Sequence, residues 1–292
     1  MKFTLSTDTS CDIFRSELKA KGVEYRPLVY TIDEVPYFDE FSADEDYKGF
    51  YKLIRDGKLP TTSQINIAEH EEFFLGLCDK YEGDIVHITL SSGLSSTYES
   101  AVKAAETVNA KLGNRVYVLD SLGATITTRH VVDEAVRLRD EGLTAAEAVN
   151  RLKNFTDHLH TWFMPTDLMH LKRGGRVSGA SAVIGTALNI KPILIINEVG
   201  GLSVVQKVIG AGKGIKAMTA KVKRNSSPVP HKIYIASADS ELAEELKGAV
   251  KEVRPDCDVE IGWIGPVIGA HTGCGAVGLS FRSDKPRTEM TK

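Results

Sequence analysis

The stretch "DIVHITLSSGLSSTY", Asp84 to Tyr98, decides the fold. Its first seven residues form the apolar, β-branched run of a buried strand. "SSGLSSTY" then opens the helical "SSTYESAVKAAETVNAKLG", with Ser95 as the expected N-cap. A strand feeding a helix through a short loop is half of a βαβ unit, the building block of a parallel sheet. Ligands of such sheets bind outside the carboxyl ends of the strands, where helix N-terminal amides favour an anion. Ser91 and Ser92 stand at that place, with hydroxyls that can point into a cleft or simply close the turn. A hydrolase elbow is excluded, because no serine here has glycine two residues before and two after it.

Outward from this unit the alternation continues. "KFTLST" reads as a strand, followed by a helix over "SCDIFRSELKAKG" capped by Thr9 or Ser10 and stopped at Gly22. An extended "VEYRPLVYTI" leads to a helix that opens at Ser42 and closes at Gly57. "RVYVLD" is the next strand, and helices are expected from about Ala124 to Glu141 and from Thr144 to Asp157. Beyond "HLHTWFMPT" the texture becomes richer in glycine, with a hairpin-like "ILIINEVGGLSVVQKV", strand "KIYIAS", helix "SELAEELKGAVKEV" and strand "DVEIGWI". The expectation is α/β with two closely joined lobes, residues 1–160 and 161–292.

Composition narrows the function. The chain of 292 residues is 42% hydrophobic and 26% charged, ordinary globular values, and its net charge of −3 provides no basic field for nucleic acid. The N-terminus reads as neither signal peptide nor membrane span, so a cytoplasmic protein with no integral membrane segment is expected. Cys11, Cys78, Cys257 and Cys274 stand far apart and read as reduced thiols; no metal-ligand spacing is present, and no metal or cofactor is expected.

Further stretches carry candidate chemistry. "LPTTSQIN" sets Thr61, Thr62 and Ser63 in a row of hydroxyls, or uses Thr62 or Ser63 to cap the helix "IAEHEEFFLGLC". "LKRGGRVSGASAVIG" flanks a Gly-Gly turn with Arg173 and Arg176, suited to a carboxylate, a phosphate or an acidic partner surface, or serving as a helix C-cap. "VIGAGKGIK" fails the Walker spacing, since Lys207 stands at the first glycine position and Gly214 at the last Ser/Thr position. No equipment for binding ATP is visible. "GPVIGAHTGCGAVG", Gly265 to Gly278, is a glycine-rich loop around His271, Thr272, Gly273 and Cys274, readable as an anion hook or as a Cys–His nucleophile pair.

Taken in order, "TDTSCD", "PTTSQ", "LSSGLSSTY", "LKRGGRVSG" with "IKPIL", and "GPVIGAHTGCGAVGL" resemble the DegV family of bacterial fatty-acid-binding proteins over residues 1 to about 282. The resemblance implies an N-terminal Rossmann-like parallel sheet, a C-terminal α/β (α+β) lobe, and a tunnel between them for a long-chain fatty acid of the C16–C18 class. It implies a carboxylate held by Thr61 or Thr62, by a serine of "SSG", foremost Ser92, and by His271, with Thr272 and Gly273 supporting. It also implies a lipid-binding protein without catalysis of its own, presenting the acid to a separate ATP-binding fatty-acid kinase subunit that makes acyl phosphate for phospholipid synthesis. Arg173 and Arg176 are candidates for docking that partner. The competing reading is an acyl hydrolase using Cys274 or Ser92 with His271. Two departures stand out: the family's "HTGPG" is "HTGCG" here, so Cys274 removes a φ restraint, and "IGAGKGIK" replaces a commonly basic segment.

Overall fold

Parallel pairing organises the first half of the chain. The computed structural model describes residues 3–40, 42–113, 115–177 and 189–291. In chain order the first elements are β1 (Thr4–Asp8), α1 (Arg15–Ala20), β2 (Val23–Arg26), β3 (Val29–Ile32), β4 (Val35–Phe38), α2 (Asp44–Arg55), β5 (Thr61–Ser63), α3 (Ile67–Lys80), β6 (Ile85–Thr89), α4 (Thr97–Leu112), β7 (Val116–Asp120), α5 (Ile126–Asp140) and α6 (Ala145–Asp157). Then come β8 (Leu159–Met164), α7 (Leu168–Gly174), β9 (Ile190–Ile196), β10 (Leu202–Ile209), α8 (Ala211–Asn225), β11 (Lys232–Ser237), α9 (Leu242–Val253), β12 (Asp258–Trp263), α10 (Pro266–Thr272) and β13 (Val277–Arg282).

Strands β2-β1-β6-β7 form an all-parallel sheet. The second sheet runs β10-β9-β8-β13-β11-β12 and is mixed, with β11 parallel to β12 and antiparallel to β13. A third, antiparallel sheet, β4-β3-β5, comes from the first half of the sequence. It packs with the second half: Tyr30, Phe50 and Tyr51 share one core cluster with Tyr234, Ile264 and Val267. The Tyr51 hydroxyl donates to the Ile264 carbonyl at 2.7 Å, and Tyr47 stacks on Trp263.

Several local expectations are corrected. Thr9–Cys11 form a separate 3-10 turn and the first helix begins at Arg15, because the Asp8 carboxylate caps the turn and Asp12 adopts a left-handed conformation that ends it. "VEYRPLVYTI" divides at Pro27, which lacks an N–H, into strands of two different sheets. Ser42 is not the cap of α2; Ala43 holds that place, while Asp46 accepts the Ser42 and Ala43 N–H groups. "TTS" is strand β5, and α3 is capped by Asn66 with Glu69 reciprocating. Ser96 holds the N-cap position of α4, although the Ser95 hydroxyl accepts from Thr97 N–H. The "GPVIGAHT" part of the glycine-rich loop is helix α10, with Pro266 in its first turn.

Two buried carboxyls lie in the seam between the halves. A Cβ on Gly265 would stand 2.2 Å from Asp12 Oδ1 and 3.6 Å from Asp39 Oδ2. Each acid keeps one oxygen without a hydrogen-bond partner among the described residues. Burial, and secondarily the Asp39 charge, hold the Asp12 carboxyl well above the usual range; burial pushes Asp39 up to about 8. Between the ordinary carboxylate range and pH 8, Asp39 is protonated in the fold and ionised in the unfolded chain, so its contribution falls as pH rises. Burial lowers His70, His130 and His160 to about 4 each, which acts in the opposite sense but only below their ordinary value. From about pH 6.5 to 8 the histidines are neutral in both states, leaving the acids to set the slope. Asp39→Asn is therefore expected to flatten that limb by about 1.4 kcal/mol per pH unit. Urea unfolding at the two ends of the interval measures it, and an unchanged slope would sink the assignment.

Candidate ligand site

From β1 the chain moves to β2 on one side, and from β6 to β7 on the other. The carboxyl ends of β1 and β6 thus flank a topological switch point, the crevice where open α/β sheets bind ligands. Asp8, the last residue of β1, pins the loop after β6 by accepting from Leu90 N–H at 2.7 Å and Ser10 N–H at 3.0 Å. Ser92 N–H donates to the Asp120 carboxylate at 3.3 Å, and the Ser92 side chain lines a cavity of about 510 Å³.

Thr62, Ser63, Arg176, His271 and Thr272 line the same cavity. Of the two threonines, Thr62 presents its hydroxyl to His271 Nε2 at 2.8 Å, while Thr61 is exposed and does not line the cavity. His271 sits in the last turn of α10 against the end of α7, and its Nδ1 lies 3.0 Å from the Gly174 carbonyl. The contact is reciprocal, since His170 of α7 donates from Nε2 to the Ala270 carbonyl at 2.7 Å. Gly174 permits it: a Cβ there would come within 2.9 Å of the His271 backbone. Gly273, at φ 72°, ends α10, and a Cβ on it would press on the His170 ring. Burial, then the Arg176 charge, lower the His271 pKa to about 4, so the imidazole is neutral near pH 7.

Behind this polar mouth lies a second, narrow cavity of about 70 Å³ with almost wholly apolar walls, including Ile126, Phe163, Ile196 and Val277. Leu94, Leu202, Ile268 and Thr272 line both spaces. The Thr272 hydroxyl at this neck is buried and has no partner among the described residues.

Other expected residues do not join the group. Ser91 is fully buried; its hydroxyl donates to the Gly200 carbonyl at 2.9 Å and accepts from Gly93 N–H, so it latches the β9–β10 hairpin rather than facing the cleft. The arginine pair splits: Arg173 is exposed on the last turn of α7, whereas Arg176 lines the cavity and donates to the Gly174 carbonyl at 2.9 Å. Residues 178–185 of that motif lie outside the described residues. The Cys274 thiol points to the Tyr51 carbonyl at 3.3 Å and is raised by burial, while both His271 nitrogens are engaged elsewhere, so no Cys–His pair is assembled. His170, Asp8 and Asp120 were not singled out by the sequence, because their roles arise from contacts remote along the chain. Among the described residues no group of three or more His, Cys, Asp or Glu could hold a metal. No described helix is long and apolar enough to cross a membrane.

A family model described as "Uncharacterised protein, DegV family" matches residues 2–284. A DegV domain-containing protein of Clostridium perfringens is 33% identical over 286 residues, covering 97% of this chain and 98% of its own length. Two solved structures agree in fold over 97% of this chain and 100% of their own. One, from Thermus thermophilus and described by its fatty acid binding, has a TM-score of 0.86 at 25% identity; the other, DegV of Bacillus subtilis, described as a fatty acid binding protein, has 0.84 at 27%.

The hairpin latch yields a test. A Cβ on Gly93 would stand 2.5 Å from both Gly200 C and Gly201 N, backbone atoms that cannot step aside. Gly93→Ala should destabilise the protein by about 1–3 kcal/mol, as overpacking does. Ser91→Ala should cost about 1 kcal/mol, the value of one hydrogen bond. Chemical denaturation of both variants compares them, and a stable Gly93→Ala would mean that the hairpin does not close on the first lobe.

Proposed function

This chain belongs to the DegV family, and we propose from that premise that it binds a long-chain fatty acid, with the carboxylate at the mouth and the tail in the apolar space between the lobes. The observation that carries the reading is the Thr62–His271 pair, one residue from each half of the chain, meeting beside Ser92 where a cavity of mixed polar and apolar lining adjoins an apolar one. A sixteen-carbon acid has about 14 methylenes, and at about 0.8 kcal/mol each their burial contributes on the order of 11 kcal/mol before ordering is subtracted. The inner cavity, at about 70 Å³, is smaller than such a tail, so entry requires its apolar lining to part. A carboxylate buried without partners is costly, and hydroxyls with an imidazole answer that need without fixing a permanent counter-charge.

The protein then acts as a carrier rather than an enzyme. In the cytoplasm it presents the acid to a separate ATP-dependent kinase subunit, which forms acyl phosphate for phospholipid synthesis. The exposed Arg173, with Arg176 at the mouth, is the proposed docking surface. An acyl hydrolase finds no support in the geometry, since Thr62 and Gly174 engage both His271 nitrogens and the Cys274 thiol is directed at the Tyr51 carbonyl.

Native mass spectrometry of gently purified protein is expected to show the added mass of a sixteen- or eighteen-carbon acid. His271→Ala should weaken oleate binding by about tenfold or more, the equivalent of a hydrogen bond to a charged group. An apo mass that persists after incubation with palmitate and oleate would refute the carrier reading, and unaltered affinity would remove His271 from the site.

A further inference from the structure

The head-group relay has a direction. Gly174 offers only a carbonyl to His271 Nδ1 at 3.0 Å, and a carbonyl can only accept, so Nδ1 carries a hydrogen. With the ring kept neutral by burial, Nε2 has none and accepts the hydrogen bond at 2.8 Å from the Thr62 hydroxyl. The single O–H of Thr62 is thereby engaged with the ring, and only its lone pairs remain for the cavity. A carboxylate arriving beside them meets acceptors.

We propose that loading a fatty acid reverses the Thr62–His271 hydrogen bond and draws one proton from solvent into the site with each carboxylate. This rests on the reading of the site as a fatty-acid head-group site. The proton adds to Nε2; no other covalent bond changes. The Nε2–H then donates to Thr62 Oγ1, and the Thr62 hydrogen turns to the carboxylate. The imidazolium supplies the counter-charge only while the acid is bound. Gly174 is the positioning residue: its carbonyl fixes the tautomer, and its lack of a side chain lets α7 approach α10.

Other titratable groups face the helix: the buried Asp12 and Asp39 carboxyls lie at its Gly265 end, both raised by burial and Asp39 to about 8, so the His271 nitrogen resonances, not proton uptake alone, identify the group that titrates. Helix α10 packs on α7, β5, β3 and α2. The α7 side brings the two groups whose charge acts on His271, Arg176 and His170. Strand β5 contributes hydroxyls, β3 and α2 the phenols of Tyr30 and Tyr51, both raised by burial, and α2 also Arg55, which is paired with Asp239. The Cys274 thiol beyond the helix is raised as well. Among the described residues lining the mouth, Arg176 is the one permanent cation. It is exposed and donates to the same Gly174 carbonyl, so solvent screens it and its fork is partly engaged.

The test is isothermal titration of the full-length protein with dodecanoate, kept below micelle formation, in two buffers of different ionisation enthalpy at about pH 7.5, where the free acid is ionised. About one proton should be taken up per ligand, and affinity should fall about tenfold per pH unit above neutrality. The nitrogen resonances of His271 should change from one protonated nitrogen, Nδ1, to two on loading. His271→Gln, whose amide can donate without titrating, should bind with no uptake. Tight binding without proton uptake, with the ring still neutral in the complex, would overturn the relay and give the head group to Arg176. Failure of the wild type to bind either dodecanoate or oleate would instead overturn the carrier reading, and the relay with it.

Discussion

The mouth of the site depends on two helix ends meeting without a side chain between them. Helix α7 ends at Gly174 and α10 at Thr272, and each lends a histidine to the other's carbonyl: His170 to Ala270, His271 to Gly174. Helix C-termini leave carbonyls unsatisfied, and here the orphan acceptors become the fixed partners of two imidazoles. A Cβ at Gly174 or Gly273 would strike the opposing histidine, so glycine at both positions is a condition of the clasp. The orientation of His271 is thus a backbone property, insulated from rotamer choices nearby.

The clasp belongs to one half of the chain, and the threonine it meets belongs to the other. Strand β5 reaches His271 because the small β4-β3-β5 sheet and helix α2 pack on the second half, through Tyr30 of the sheet and Phe50 and Tyr51 of the helix against Ile264 and Val267. Relative motion of the parallel sheet and the mixed sheet would therefore act less on the Thr62–His271 bond than on Ser92, which is fixed through Asp120 at the end of β7. The hairpin latch between Ser91 and Gly200 ties that second contact down. Thr62 and His271 are thus tied to the mixed-sheet side and Ser92 to the parallel sheet, and the proposed head group would touch both.

Much of this was legible in the sequence, for identifiable reasons. The β6 strand and its serine loop announced themselves by a continuous apolar run followed by cap residues, a local pattern. Helix α10 was hidden by its glycines, although Pro266 in its first turn was a start signal. The choice between Thr61 and Thr62 needed the position of His271, 209 residues away, and "PTTSQ" looked like a turn. Ser91 and Ser92 are indistinguishable as letters; their opposite fates follow from where Gly200 lies, over a hundred residues away. The same holds for Asp8, which looks like any acid near an N-terminus until Leu90 is found on it.

The two ends of the proposed ligand make opposite demands on this architecture. The proposed tail needs volume, and the inner cavity has little, about 70 Å³, so part of the burial energy would be offset by rearrangement of a packed wall. The head needs donors, yet a permanently charged, fully buried partner would be costly in the empty protein. A neutral imidazole locked by a carbonyl satisfies both conditions: it is cheap to bury alone and can become cationic when a negative charge arrives. On the proposed relay, specificity for an acid over an apolar molecule of equal length would lie in a change of protonation, and selection by chain length would fall to the apolar wall.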